Sequence, residues 1–182
     1  MQNLKIYNKN YFSRDIDENW FLSHKLPRPD ELAAFAYAFG RRFFGDENLK
    51  NRKPTEVYII GCGRGYLSKI FEDAGVNTTG VDPSPYVEEI YIGKDLVKKY
   101  EGGGDTIIFN ESIEHIPEGE VDDILDKVPK GAWVIITNWL THHPIPLSGD
   151  DHITRIDDEF FDKISGGFQT LYRRDSHLVI KK

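Results

Sequence analysis

Gly61-Cys62-Gly63-Arg64-Gly65 stands directly after a short apolar run, Glu56-Val57-Tyr58-Ile59-Ile60, and directly before a segment of helical pattern that begins at Tyr66. Glycines permit a tight turn and let a ligand approach the backbone closely. The helix that follows offers free N–H groups and the positive end of its dipole, which suits an anionic or carboxylate-bearing ligand. Asp82 ends the next apolar run about 20 residues after Gly61, where a nucleotide-binding fold puts the acid that accepts from ribose hydroxyls. A nicotinamide fingerprint requires glycine or alanine at the position held here by Tyr66, so the spacing is G-x-G-x-G and argues against that cofactor.

A second group of residues could hold a metal or move a proton. Glu111, Glu114 and His115 are closely spaced, and His152 follows in Asp150-Asp151-His152-Ile153. Carboxylates with imidazoles suit a divalent cation, which would orient acceptor hydroxyls and lower their pKa. The plainer reading of Glu114 and His115 is a loop hydrogen bond or a helix cap. His115, His142, His143 and His152 are the candidates for a general base. Trp139 is placed either to touch an acceptor or to pack in the core. Tyr7, Tyr11, Phe12 and Trp20 read equally as a lid and as packing on the sheet, and Arg173 and Arg174 as solvated residues of a hairpin turn.

The elements that must position these groups follow from periodicity. Asp30 caps a helix over 31–44, with Leu32, Phe35, Ala36, Phe39 and Phe43 on one face and Gly45 as its stop. Strands are expected at 56–60, 78–82, 89–92, 105–110 and 132–138, and helices at 66–74, 118–128 and 157–164, with one short helical turn at 86–89. Two closing strands, 168–172 and 177–181, form a hairpin. Alternating strands and helices give an α/β fold with a parallel sheet, helices on both faces, and antiparallel strands at one edge.

The 182 residues suit one domain, with a charge of −7, a sequence pI near 5.4 and a single cysteine, Cys62. An acidic balance argues against a large nucleic-acid footprint without excluding a local basic patch. One cysteine excludes an intrachain disulfide and a cysteine-rich zinc framework, and fits a reducing, cytoplasmic setting. There is no secretory pattern at the N-terminus and no apolar run long enough for a membrane span.

From Glu56 to Ile136 the chain resembles the class I S-adenosylmethionine-dependent methyltransferases. The segments that carry the likeness are Val57 to Gly65, Thr79-Gly80-Val81-Asp82-Pro83-Ser84, and Asp105 to Pro117 with its Glu-x-x-Glu-His-Ile-Pro ending. That last stretch is similar to the ubiquinone-biosynthesis-like group. The resemblance implies a Rossmann-like three-layer sandwich over 1–182, with 1–50 as a helical or lid segment and 55–182 as the core. It implies that Gly61, Cys62, Gly63 and Gly65 wrap the methionine part of the cofactor and that Asp82, with Pro83 beside it, holds the ribose. Asp95, after the third strand, would approach the adenine, and Asn110 and Glu111 would line the sulfonium. His115, His143 and His152 would serve catalysis, and Glu111, Glu114, His115 and His152 resemble the metal set of metal-dependent O-methyltransferases. The chain departs from the family pattern after Asp82, where a full crossover helix no longer fits before Asp105. The expected activity is O-methylation of a small molecule by a monomer or homodimer. The competing readings are a metal-dependent RNA-end 2′-O-methyltransferase and a non-catalytic cofactor-binding module.

Overall fold

The computed structural model describes residues 54–73, 75–110, 112–137, 153–154, 156–174 and 177–182, with only the backbone at Arg174 and His177. In chain order the elements are β1 (Glu56–Ile60), α1 (Tyr66–Asp73), β2 (Asn77–Val81), α2 (Val87–Ile90), β3 (Asp95–Val97), β4 (Thr106–Asn110), a 3₁₀ turn (Ile113–His115), α3 (Glu118–Lys127), β5 (Trp133–Thr137), α4 (Asp158–Ile164), β6 (Gln169–Arg174) and β7 (His177–Lys181).

The strands form one sheet in the order β3-β2-β1-β4-β5-β7-β6. The pairs from β3 to β5 are parallel, and β7 runs antiparallel between β5 and β6. This is the Rossmann-like arrangement with a C-terminal hairpin. The order reverses between β1 and β4, and in such sheets the crevice at the carboxyl ends of those two strands is the usual ligand position.

Alternation along the strands divides the core between the two faces. Val57, Ile59 and Ile108 pack with Phe71 of α1 and with Val76. Ile60, Ile107, Phe109, Val134 and Ile136 pack on the other face with Val121 and Leu125 of α3 and with Phe160, Phe161 and Ile164 of α4. Near-continuous apolar strands are what a parallel sheet covered on both faces requires. Gly75, at φ +76°, ends α1 with its N–H on the Glu72 carbonyl, and Asp157 caps α4 by accepting from the Phe160 N–H at 3.0 Å.

Three expectations are corrected. The run 89–92 is not a strand. Residues 87–90 form the single helical turn α2, one residue later than expected, and the third strand is the three-residue β3. Asp95 therefore opens β3 instead of following a strand. It pairs with Thr79, whereas the strand end near Asp82 is Val97, whose carbonyl accepts the Asp82 N–H at 3.0 Å. Arg173, finally, is no solvated turn residue: it lies within β6, its guanidinium bonds Asp162 and Asp158, and it sits 5.7 Å from the centre of the Phe161 ring. The shortened crossover after Asp82 is present as expected, since α2 spans four residues.

Candidate functional site

The turn leaving β1 is built on left-handed backbone. Gly61, Gly63 and Gly65 have φ of +67°, +52° and +80°, a region that L side chains rarely enter. The N–H groups of Gly61 and Cys62 donate to the Val81 carbonyl at 2.8 and 3.2 Å, fastening the turn to the end of β2. The N–H of Gly63 donates to Asp82 Oδ2 at 3.1 Å, and that of Ser84 to Asp82 Oδ1 at 2.9 Å. The second bond closes an Asx-type turn over Asp82-Pro83-Ser84. Asp82 is only 8% exposed. Burial pushes its carboxyl above the ordinary 3.8, and the N–H bonds from Ser84 and Gly63 pull the other way. Pro83 is exposed beside it.

Close packing brings the loop after β4 against the same turn. A Cβ on Gly61 would lie 2.6 Å from Cβ of Ser112, and the Ser112 hydroxyl donates to the Ile60 carbonyl at 2.7 Å. Asn110, exposed at the end of β4, accepts at its Oδ1 from the Thr137 hydroxyl at 2.9 Å. Two residues beyond Ser112, Glu114 is 2% exposed, and its Oε1 lies 3.7 Å from His115 Nε2. The main-chain oxygen of Glu114 accepts the N–H groups of Ile153 and Thr154 at 2.9 and 3.0 Å, and the Thr154 hydroxyl donates to the Ile116 carbonyl at 2.5 Å. The chain just after His152 is thus tied to the loop that carries Glu114 and His115.

Glu111, His142, His143, His152, Trp139 and the N-terminal aromatics Tyr7, Tyr11, Phe12 and Trp20 lie outside the described residues, as does the helix expected at 31–44. Among the described residues no three His, Cys, Asp or Glu side chains converge as a metal site. The structure brings Gly61, Cys62, Gly63, Gly65, Asp82, Pro83 and Asn110 to the carboxyl edge of the sheet, and leaves Asp95 toward the other end of β3. Cys62 is half-buried against Gly80, and burial, with the Asp82 charge second, pushes its thiol well above the usual range.

Sequence reasoning missed Ser84, Ser112 and Tyr91. Asp-Pro-Ser carries an Asx-turn signal that would have found Ser84. Ser112 packs on Gly61 and Tyr91 on Gly65 and Gly80, all distant in the chain, and no local pattern announces that.

The likeness to known proteins agrees with this geometry. No curated protein sequence matches the chain. Solved structures share its fold. The S-adenosylmethionine-dependent methyltransferase from Archaeoglobus fulgidus is 18% identical with a TM-score of 0.55, covering 84% of this chain and 75% of that one. Magnesium protoporphyrin IX methyltransferase from Synechocystis PCC 6803, solved with bound S-adenosylmethionine, is 16% identical with a TM-score of 0.54 over 99% and 96% of the two chains. The methyltransferase domain of bacterial CtHen1-CN is 20% identical with a TM-score of 0.53 over 74% and 94%. Residues 31–175 match the family described as a methyltransferase domain. That match spans well over half of the sequence, and the sheet order agrees with it: the chain belongs to the methyltransferase-domain family.

Proposed function

We propose that the protein methylates a small-molecule acceptor, at oxygen, with S-adenosylmethionine bound across the turn that leaves β1. The observation that carries this reading is the bond from the Gly63 N–H to the Asp82 carboxylate at the point where the strand order reverses. A carboxylate has about four acceptor positions. Gly63 and Ser84 use two, and the two that remain suit a pair of ribose hydroxyls. The glycine turn and the amino end of α1 suit the carboxylate-bearing end of the cofactor. The residues present therefore fit the group.

When bound, S-adenosylmethionine supplies an electrophilic methyl group on a sulfonium. The work of the chain is to orient and to exclude water. Asp82 would fix the sugar, the turn 61–65 the amino-acid end, and the loop 110–112 the region facing the acceptor. Pro83 and Cys62 would border the sugar and the methionine part. His115, with the Glu114 carboxylate beside it, would take the acceptor proton, and His143 and His152 are further candidates for that proton. The surface next to His115 supports a small acceptor over a polyanion. Glu118 and Glu120 open α3 there, and Lys163 is held by Glu118 and Asp122 at 2.7 and 2.9 Å. We take the chain as one domain, 1–182, with 1–50 as a lid segment over a 55–182 core. Calorimetric titration with S-adenosylhomocysteine tests the reading, with saturable binding expected. No heat at millimolar ligand would overturn it, and binding without turnover of any acceptor would favour a non-catalytic module.

A second reading adds a divalent cation held by Glu111, Glu114, His115 and His152. It is favoured by the buried Glu114 carboxylate and by the two N–H bonds that tie residues 153 and 154 to Glu114. Such an ion would draw an acceptor hydroxyl toward the sulfonium and ease its deprotonation. Cobalt(II) titration checks it: a visible d–d band is expected in the native protein and lost in Glu114→Gln. No band in the native protein sinks this reading and leaves the first intact.

A further inference from the structure

Tyr91 belongs to none of the sequence motifs, yet its ring lies across three glycines. A Cβ on Gly65 would overlap the ring edge. On Gly80 or on Gly93 it would come within 2.5 Å of the hydroxyl oxygen. The slot exists only because all three positions lack a side chain. Gly65 closes the glycine turn, Gly80 lies in β2 opposite Leu96, and Gly93 leads into β3. One side chain thus joins the loop, the second strand and the edge strand.

The main chain around Tyr91 adds to this. Its own N–H returns to the Val87 carbonyl at 2.8 Å, closing α2, and the Ile92 N–H donates to the Arg64 carbonyl at 3.0 Å, inside the glycine turn. The Tyr91 hydroxyl donates to the Asp95 carbonyl at 3.0 Å, and the Lys94 N–H donates to Glu72 Oε1 at 2.7 Å, on α1. The segment 91–95 is a strap from the end of α2 across α1 to β3. A crossover between parallel strands must cover the sheet face it passes over. A helix of four residues is about 6 Å long, so the ring and its strap cover what α2 does not reach.

The consequence concerns the turn. Asp82 holds Gly63 from one side. The strap holds Arg64 and Gly65 from the other. Gly65 also sets where α1 begins, because the Lys69 N–H donates to its carbonyl at 2.8 Å. We propose that Tyr91 is a positioning residue for the cofactor loop: its ring makes up for the shortened crossover helix and holds Gly65, and with it the amino end of α1, where the cofactor's carboxylate-bearing end is received. The inference rests on the cofactor site given above.

The test is the dissociation constant of S-adenosylhomocysteine, measured well below each variant's melting temperature. Tyr91→Ala empties the slot and is expected to weaken binding at least about tenfold, since misplacement near 1 Å at a built site has effects of this size. Tyr91→Phe keeps the ring and is expected to stay within about threefold of native. Should Tyr91→Ala fail to fold, Tyr91→Leu, which half-fills the slot, takes its place with the same direction expected. Leu125→Ala, a core truncation beneath α3 on the opposite face, controls for stability lost elsewhere and is expected to bind within about threefold of native. Native binding together with unaltered affinity in folded Tyr91→Ala or Tyr91→Leu overturns the role of Tyr91 alone. Equal weakening by Leu125→Ala does the same. Absence of binding by the native protein overturns the cofactor site and, with it, this inference.

Discussion

The backbone N–H of Gly63 donates to the carboxylate of Asp82 at 3.1 Å, so the turn that leaves β1 and the acid that follows β2 are one unit. A parallel pair makes this possible. Ile60 and Val81 are in register, and the residues that follow each strand emerge side by side at the same edge of the sheet. The acid therefore has two tasks, shaping the loop and accepting from a ligand, and substitutions there should separate them.

Asp82→Ala removes both tasks. Hydrogen bonds to a charged group contribute about 1.5–3 kcal/mol each, so loss of the ribose acceptor should weaken S-adenosylhomocysteine binding at least about tenfold. Two N–H groups also lose their acceptor, and the melting temperature should fall. Asp82→Asn keeps an acceptor oxygen and should fall between. Calorimetry with thermal melts checks this, and an Asp82→Ala protein that binds as the native one does would contradict the assignment.

The same carboxyl predicts a pH dependence. Its folded-state pKa is raised above the ordinary 3.8, chiefly by burial. In the window between 3.8 and that raised value the folded state binds more protons than the unfolded one. This group's contribution to stability is therefore greatest below 3.8 and declines as pH rises through the folded value. Ligand affinity runs the other way, because only the ionised form accepts from both hydroxyls, so binding should weaken as pH falls through the raised pKa. Asp82→Asn should flatten this limb of the affinity profile, and an unchanged limb would assign it to another group.

Much of this geometry was legible in the sequence. Val57 to Ile60, Thr106 to Asn110 and Trp133 to Thr137 are strands buried on both faces, and apolar runs ending in glycine or polar residues declare them. The glycine turn and Asp82 followed from spacing. Ile90-Tyr91-Ile92 misled because β-branched and aromatic residues read as a strand. There they close a helical turn and fill a slot, while the true edge strand, Asp95-Leu96-Val97, is short, half-exposed and carries little pattern. Asp95, expected after the third strand, opens that strand for the same reason. Arg173 looked like a turn residue because its partners Asp158 and Asp162 lie on a helix that only the fold brings near.

Gly93 gives a direct measure of the Tyr91 slot. The three atoms nearest a Cβ there all belong to Tyr91, and Gly93 is not among the glycines with positive φ. Gly93→Ala should cost about 1–3 kcal/mol through overpacking. In a Tyr91→Ala background the same substitution should cost far less, giving a coupling within the range of residues in contact. Denaturant melts of the four proteins of the cycle check this, and additive effects would mean that the slot yields elsewhere.

Cys62 offers a readout of the same crevice with a single chemical handle, because it is the chain's one cysteine. Its thiol packs against Gly80, and burial first, then the Asp82 charge, raises its pKa well beyond the ordinary range. The thiolate is the nucleophile, so alkylation of the native protein at pH 8 should be at least about 100-fold slower than in denaturant. Asp82→Asn removes the smaller of the two causes and should speed the native reaction only modestly. If the native thiol reacted at the denatured rate, Cys62 would be open to solvent and the close fit of the turn against β2 would be wrong. A large acceleration in Asp82→Asn would mean that the carboxylate's charge, more than burial, keeps the thiol protonated at this edge of the sheet.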